Sequence, residues 1–191
     1  MMKRNIFALA LALTLCAALL AGCGGASSAS SASSAAPASS AAPEAASGAR
    51  TGEENGSASL DAAVSRLLEA NPISNQFEIA AMNIEYDFML SPDDVAAYKG
   101  VKSNDNGDAG LVLVIQPAAG KAEAICQTLQ TYKEDQVAFY GNYAEFGQAQ
   151  ANVENAIISG SDSLVVMVIA SNECTGDLAP AVDDVMNEYA Q

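Results

Sequence analysis

The sequence predicts an α+β fold: a small layered domain with a mostly antiparallel, four-stranded sheet of two hairpins packed with helices. Two pairs of apolar runs, each pair joined by a short turn sequence, predict the hairpins. Helical patterns between and after these pairs predict the packing layers. We expect the globular domain over residues 60–191, behind a signal peptide and a disordered tether. That length is enough to bury a core without disulfides or metal.

The first 22 residues have the pattern of a secretory signal peptide. Lys3 and Arg4 precede an apolar run at 6–20, which is shorter than the roughly 20 residues that span a bilayer. The run ends in Leu20-Ala21-Gly22-Cys23, which resembles the lipobox of bacterial lipoproteins. This resemblance implies general secretory export, cleavage between Gly22 and Cys23, and a diacylglyceryl group on Cys23. The protein would then be held on the outer face of the bacterial cytoplasmic membrane. The alternative is an ordinary secretory peptide with a cysteine nearby.

Residues 23–59 are predicted to be the lipidated cysteine followed by a disordered linker. Ala, Ser, Gly and Pro make up 30 of the 36 residues from 24 to 59, and no apolar periodicity occurs there. A flexible coil of this length has a root-mean-square reach of about 30–35 Å. The linker would therefore keep the domain clear of the lipid headgroups.

The first part of the domain shows three local signals. Apolar spacing over 60–68 predicts a helix, with Ser59 as its N-cap. The strict alternation of apolar and polar residues over 82–88 predicts a half-exposed strand. Ser91-Pro92-Asp93-Asp94 predicts a helix start, since a hydroxyl cap, a proline and acids are all favoured there.

The two hairpins follow from apolar runs on either side of turn sequences. Residues 95–103 lead through Asn104-Asp105-Asn106-Gly107-Asp108 into 111–115, and the Asn-Gly pair is a strong hairpin signal. The second hairpin joins 153–159 to 164–169. Because 111–115 and 164–169 are continuously apolar, we place them at the centre of the sheet, covered on both faces.

Two amphipathic helices complete the domain. One is predicted from Ala118 to about Tyr140, between the hairpins, and the other from Leu178 to Tyr189. The order of elements is typical of an α+β layered domain.

The stretch from Ala118 onward resembles the bacterial lipoproteins grouped as domain-of-unknown-function family 4358. The features are an amphipathic helix followed by Gln136, an aromatic at Phe139, a Gly-Asn-Tyr turn at 141–143 and the second hairpin. Family members usually have an Arg in the helix before the Gln, where this chain has Tyr132-Lys133. The resemblance implies a secreted, lipid-anchored domain and no particular activity.

Composition excludes several catalytic classes. The chain has no His, so it cannot form a Ser-His-Asp triad, a Cys-His pair or an imidazole metal site. The acidic pairs Asp93-Asp94 and Asp183-Asp184 point about 100° apart on a helix and do not converge on one substrate. Residues 104–108 look like a calcium loop, but Lys102 and Leu113 would stand at the two positions that need carboxylates. A hairpin turn is the favoured interpretation, and a looser calcium site is the alternative. We predict no catalytic residue, metal or cofactor.

Cys126 and Cys174 are the two thiols beyond the signal segment. Outside the cytoplasm two such thiols can pair, and a disulfide here would tie the long helix to the end of the last strand. The other interpretation is that Cys126, on the apolar helix face, acts as a small hydrophobe.

Five of the chain's eleven aromatic residues fall between 132 and 146. Tyrosine rings with polar tips suit a sugar or peptide platform, so this segment is the predicted ligand or partner surface. The simpler interpretation is that these rings seal the helix onto the sheet. The predicted surface consists of Tyr132, Gln136, Tyr140, Tyr143 and Phe146.

Charge disfavours some partners. Without Lys3 and Arg4, the chain has 6 basic and 23 acidic residues, a net charge of −17. Such a surface repels nucleic acid and anionic lipid headgroups. We expect a non-catalytic interaction or ligand-binding module whose partner is an envelope protein or a small ligand. The alternatives are a small solute-capture lipoprotein that serves a transporter, and an envelope enzyme with a carboxylate-based site.

Overall fold

The computed structural model of the protein describes residues 53–190, with side chains from Ala58 onward. The predicted signal peptide, its cleavage point at Gly22 and Cys23, and the linker up to residue 52 lie outside the described residues. In chain order the elements are α1 (Glu53–Ala70), β1 (Gln76–Glu78), β2 (Val95–Ser103), β3 (Leu111–Pro117), α2 (Ala122–Gly141), α3 (Gly147–Glu154), β4 (Ile157–Gly160), β5 (Val165–Ile169) and α4 (Ala179–Tyr189).

The strands form one sheet in the order β1-β2-β3-β5-β4, and every neighbouring pair is antiparallel. The predicted α+β class is confirmed, and both predicted hairpins form. The predicted strand number of four is too low, because the short strand β1 adds a fifth at the edge beside β2. None of the helices within 53–190 is long and apolar enough to cross a membrane.

The central strands β3 and β5 are buried on both faces of the sheet, as their continuous apolar sequence predicts. Even-numbered residues of both strands, such as Val112 and Val166, pack against α1 and α4 in a first cluster. Odd-numbered residues, such as Leu113 and Val165, pack against α2 in a second cluster. We call these sides the first and second faces of the sheet. Alternate side chains of a strand thus supply two separate cores.

Residues 82–88 do not form the predicted strand. Asn83–Asp87 is a π-helical turn, in which the side chain of Asn83 accepts a hydrogen bond from the Ala80 N–H at 2.8 Å. Ile84 and Phe88, four residues apart, are buried in the second face, whereas Met82 and Tyr86 are exposed. The alternation of apolar residues over 82–88 therefore arises from two buried residues at helical spacing and from two apolar residues that are exposed to solvent.

Three predicted boundaries also change. Ser91 does cap a helix, since its hydroxyl accepts from the Asp93 N–H, but that helix is one 3-10 turn before the extended Val95 begins β2. Ser59 is not an N-cap, because it lies inside α1. Val153 belongs to α3, and the outer strand of the second hairpin begins at Ile157.

Of the two interpretations for Cys126 and Cys174, the disulfide is not formed. Both thiols are free. Cys126 packs against the second-face cluster, and Cys174 packs against the first-face cluster. The sheet stands between them. Cys126 is therefore the small hydrophobe of the other interpretation, and burial raises the pKa of its thiol.

Gly100 in β2 tests the packing of the sheet. A Cβ at this position would lie 2.6 Å from the carbonyl oxygen of Val112 and 2.9 Å from Cδ1 of Ile79. Because a backbone oxygen cannot move aside as a flexible side chain can, we expect Gly100→Ala to lower the free energy of unfolding by about 1–3 kcal/mol. Urea denaturation followed by circular dichroism measures this loss.

The matched control is Gly147→Ala at the start of α3. Nothing lies within 4 Å of a Cβ there. The substitution should leave stability unchanged or raise it by up to about 1 kcal/mol. Equal stability of the Gly100→Ala variant and the wild type would contradict the described packing of β2.

Candidate ligand-binding cleft

The position of the candidate site follows from the direction of α2. The helix follows β3 after a short connection and runs back along the second face. Its 20 residues extend about 30 Å. The seven residues of β3 extend only about 24 Å. The end of α2 therefore passes beyond the start of β3 and lies beside the turn that joins β2 to β3.

A cleft of about 380 Å³ lies between the end of α2 and this turn. One wall is contributed by α2 and the 3-10 turn Ala144–Phe146, and the other by residues 102–111. The first wall consists of Tyr132, Gln136, Phe139, Tyr140 and Phe146.

The aromatic wall is a set of touching rings. Phe139 and Tyr140 pack edge to face with ring centroids 5.2 Å apart, and Tyr140 and Phe146 do so at 5.9 Å. Tyr132 lies deeper, 4.7 Å from the buried ring of Phe88. Edge-to-face packing of this kind stabilises the rings beyond the effect of their burial, so the rings hold one another in place.

Four of the five residues of the predicted surface line the cleft, namely Tyr132, Gln136, Tyr140 and Phe146. Tyr143 does not line it, although its ring contacts those of Phe139 and Phe146 at 5.7 and 5.5 Å. Phe139, half exposed, was left out of the predicted surface and belongs to the wall. The opposite wall was predicted as a hairpin turn but not as part of this site.

The turn wall is fixed by hydrogen bonds to its neighbours. One carboxylate oxygen of the buried Asp108 accepts from the Gly110 and Asn172 N–H groups, both at 3.0 Å. The side-chain amide of Asn75 donates to Asp105 at 2.8 Å. These carboxylates therefore stabilise the turn, as the hairpin interpretation expects. Among the described residues, no group of three carboxylate, thiol or imidazole side chains could hold a metal ion.

Gly107 brings the two walls together at one end of the cleft. It has a φ of +78°, which favours glycine. A Cβ there would lie 2.8 Å from the ring of Phe146. The aromatic ring thus packs directly on the backbone of the turn.

The aromatic wall also presents polar groups that are not hydrogen-bonded to any described residue. Within the described chain, the amide of Gln136 and the hydroxyls of Tyr132 and Tyr140 have no hydrogen-bond partner. None of these atoms is completely buried, because no buried side-chain nitrogen or oxygen of the described residues lacks a partner. They are therefore available to a ligand in the cleft.

Both tyrosine hydroxyls keep their protons at neutral pH. Burial raises the pKa of Tyr132, to which the nearby Tyr140 and Asp87 add. Burial and then the carboxylate of Asp108 raise the pKa of Tyr140. Each hydroxyl can donate one hydrogen bond and accept others. With Gln136, the wall offers both donors and acceptors beside its rings.

Lys102 lies at the edge of the cleft, but its ammonium group is engaged elsewhere. Its Nζ donates to the Asp87 carboxylate at 2.8 Å and lies 5.3 Å from the centre of the Phe77 ring. The hydrogen bond from Lys102 lowers the pKa of Asp87, against a smaller effect of burial. Neither partner lines the cleft.

The remaining sequence candidates lie outside the cleft. Asp94 pairs with Lys121 at 2.8 Å, and Asp184 lies 3.7 Å from Arg66. Neither they nor their acidic neighbours line the cleft. Lys133 donates to the Ala156 carbonyl at 3.1 Å and joins α2 to the start of the second hairpin.

The fold and the cleft define a small α+β domain with an aromatic and hydrogen-bonding cleft at one end of its sheet. The family profile described as "Domain of unknown function (DUF4358)" matches residues 70–170, more than half of the chain. The chain belongs to this family, and both walls of the cleft lie within the match. Comparisons with curated proteins and with solved structures gave no match.

Gly107→Ala tests the junction of the two walls. Alanine at a left-handed φ costs about 1–2 kcal/mol, and here its Cβ would also push Phe146 from the turn. We expect an additional loss of about 1 kcal/mol or more from the collision. Urea denaturation of the variant measures the sum of both effects.

The control is Gly120→Ala, since Gly120 has a similar φ of +73° but nothing within 4 Å of a Cβ. The difference between the two variants isolates the contact with Phe146. If both variants lose the same stability, the described contact between the turn and the aromatic wall is wrong.

Proposed function

We propose that the protein is a lipid-anchored, extracytoplasmic lipoprotein whose domain is a non-catalytic binding module at the cell envelope. The cleft between α2 and the β2–β3 turn is its ligand site. The observation that carries this proposal is the combination of exposed ring surface with hydrogen-bonding groups that have no partner among residues 53–190. Ligand pockets commonly combine an apolar lining with a few such polar groups.

The packing of the rings supports binding over a purely structural role. Rings that only seal a helix onto a sheet are covered, as Phe88 is. Phe139 instead remains 50% exposed beside the cleft, and Tyr143 next to it is 44% exposed. Exposed aromatic side chains around a concave surface are typical of a site that a partner covers.

The anchoring part of the proposal rests on the sequence before residue 24. The basic start, the apolar run and the lipobox-like Leu20-Ala21-Gly22-Cys23 occur in the order that lipoprotein export requires. Two acyl chains on Cys23 would hold the protein on the membrane, since each buried methylene contributes about 0.8 kcal/mol.

A second candidate is solute capture for a transporter. The cleft favours it, because a concave site of about 380 Å³ is large enough for a small solute. An enzyme is less favoured. Its expected signature is carboxylates that converge from distant segments, whereas Asp105 and Asp108, the acidic residues that line the cleft, come from one turn.

The test of the binding function is the thermal midpoint of the purified full-length protein with a panel of cell-wall fragments, sugars, peptides and calcium. A ligand at 100 times its dissociation constant adds about 2.7 kcal/mol, which is several degrees for a domain of this size. For a compound that raises the midpoint, Gln136→Ala should weaken binding about tenfold, the value of one lost hydrogen bond.

The control is Gln130→Ala, six residues earlier on the same helix. Gln130 is exposed, and its amide donates to Glu134. It should leave the affinity unchanged, and neither variant should change the stability of the free protein by more than about 0.5 kcal/mol. Equal affinities of the Gln136→Ala and wild-type proteins would contradict the cleft as the site.

The anchor is tested by Cys23→Ser expressed in a bacterium with lipoprotein export. We expect the variant to lose labelling by a radioactive fatty acid and to leave the membrane fraction, because no acyl chain can attach. Cys16→Ser is the matched control, since Cys16 lies inside the apolar run. It should keep both properties. Membrane retention and labelling of the Cys23→Ser variant would contradict the anchor.

A further inference from the structure

The charges around the cleft are not balanced. Among the described residues that line it, Lys102 is the one basic residue, and Asp105 and Asp108 are the acidic ones. Their pairing decides which charge a ligand would meet.

The positive charge is already neutralised. The ammonium of Lys102 is 2.8 Å from the Asp87 carboxylate and lies over the ring of Phe77. Both partners are outside the cleft lining. An anionic ligand would have to break this pair before it found a cation.

The negative charges are not neutralised by any basic group in the described chain. Asp105 accepts from the neutral amide of Asn75, and Asp108 accepts from two backbone N–H groups. None of the six ion pairs of the described residues includes either carboxylate. The charge of Asp108 also reaches the opposite wall, because it contributes to the raised pKa of Tyr140.

The aromatic wall adds to this negative field. The faces of phenylalanine and tyrosine rings carry partial negative charge and attract cations, and desolvation strengthens the attraction. Phe139, Tyr140 and Phe146 stand on the side of the cleft opposite the two carboxylates. A positively charged group between the walls would meet ring surface on one side and carboxylate charge on the other.

We propose that the ligand of this cleft is a small organic cation that carries an ammonium group. This inference rests on the proposed binding function and adds the chemical class of the ligand. The polar groups of Gln136, Tyr132 and Tyr140 would bind hydroxyl or carbonyl groups on the rest of the molecule. The volume of about 380 Å³ accommodates a compound of the size of choline or an amino sugar.

The test compares two probes of nearly equal shape by isothermal titration of the purified full-length protein. Choline carries a trimethylammonium group, and 3,3-dimethylbutan-1-ol replaces it with an uncharged tert-butyl group. We expect choline to bind at least about tenfold more tightly, since ring faces and carboxylates attract only the charged probe. Glucose and inorganic phosphate serve as neutral and anionic probes.

Three substitutions identify which charged residue contributes to choline binding. Asp108→Asn keeps a side-chain oxygen for the backbone N–H groups but removes the negative charge, so choline should bind several-fold more weakly. Asp162→Asn removes the same charge from the β4–β5 turn, at the other end of the sheet, and should have no effect. Lys102→Met removes the positive charge from the lining of the cleft and should strengthen choline binding, and a loss would contradict the inference.

The outcomes separate this inference from the binding function. If the uncharged alcohol, glucose or phosphate binds more tightly than choline and Gln136→Ala weakens that binding, the ammonium class is wrong and the cleft remains a binding site. If no probe binds at concentrations up to tens of millimolar, the ammonium class is wrong. The binding function is then decided by the cell-wall and peptide compounds of the thermal panel, and it fails as well if they give no shift.

Discussion

The burial of two adjacent apolar strands on both of their faces determines the rest of this structure. No residue of 111–115 or 165–169 is more than 1% exposed, so each face of the sheet must be covered by a helical layer. Helices α1 and α4 cover the first face, and α2 covers the second. Because α2 must return along the sheet and is longer than β3, its end lies beside the β2–β3 turn. The cleft therefore forms because α2 covers the second face of the sheet and extends beyond it.

Buried polar side chains keep the same end of the sheet in place. The amide of Asn71 donates to the Ile169 carbonyl and accepts from the Ser171 N–H, while the Ser171 hydroxyl donates to the Pro72 carbonyl. With Asp108, these groups connect three loops around the ends of the central strands. Such satisfied networks fix one arrangement of loops, which gives the cleft a rigid wall opposite the hydrogen-bonding groups of Tyr132, Tyr140 and Gln136.

The sequence predicted what depends on local patterns and missed what depends on distant contacts. Continuous apolar runs located β3 and β5, and the Asn-Gly turn located the first hairpin. The interpretation of 82–88 failed because apolar residues at every second position fit a strand, while the side chain of Asn83 and the i, i+4 pair Ile84 and Phe88 select a helical turn. Strand β1 was not predicted, because it is only three residues long and all three are exposed, so it has no apolar pattern. The aromatic wall was predicted from composition, but the turn wall required knowledge of where α2 ends.

The most direct test of the account is a nuclear magnetic resonance titration of the ¹⁵N-labelled full-length protein with the panel compound that raises its thermal midpoint most. The account predicts that the side-chain amide signals of Gln136 and the backbone signals of Gly107 and Tyr140 shift together and saturate at one dissociation constant. Signals of α4, on the first face of the sheet, should not move. Shifts confined to the first face, with Gln136 unchanged, would contradict the cleft as the functional site.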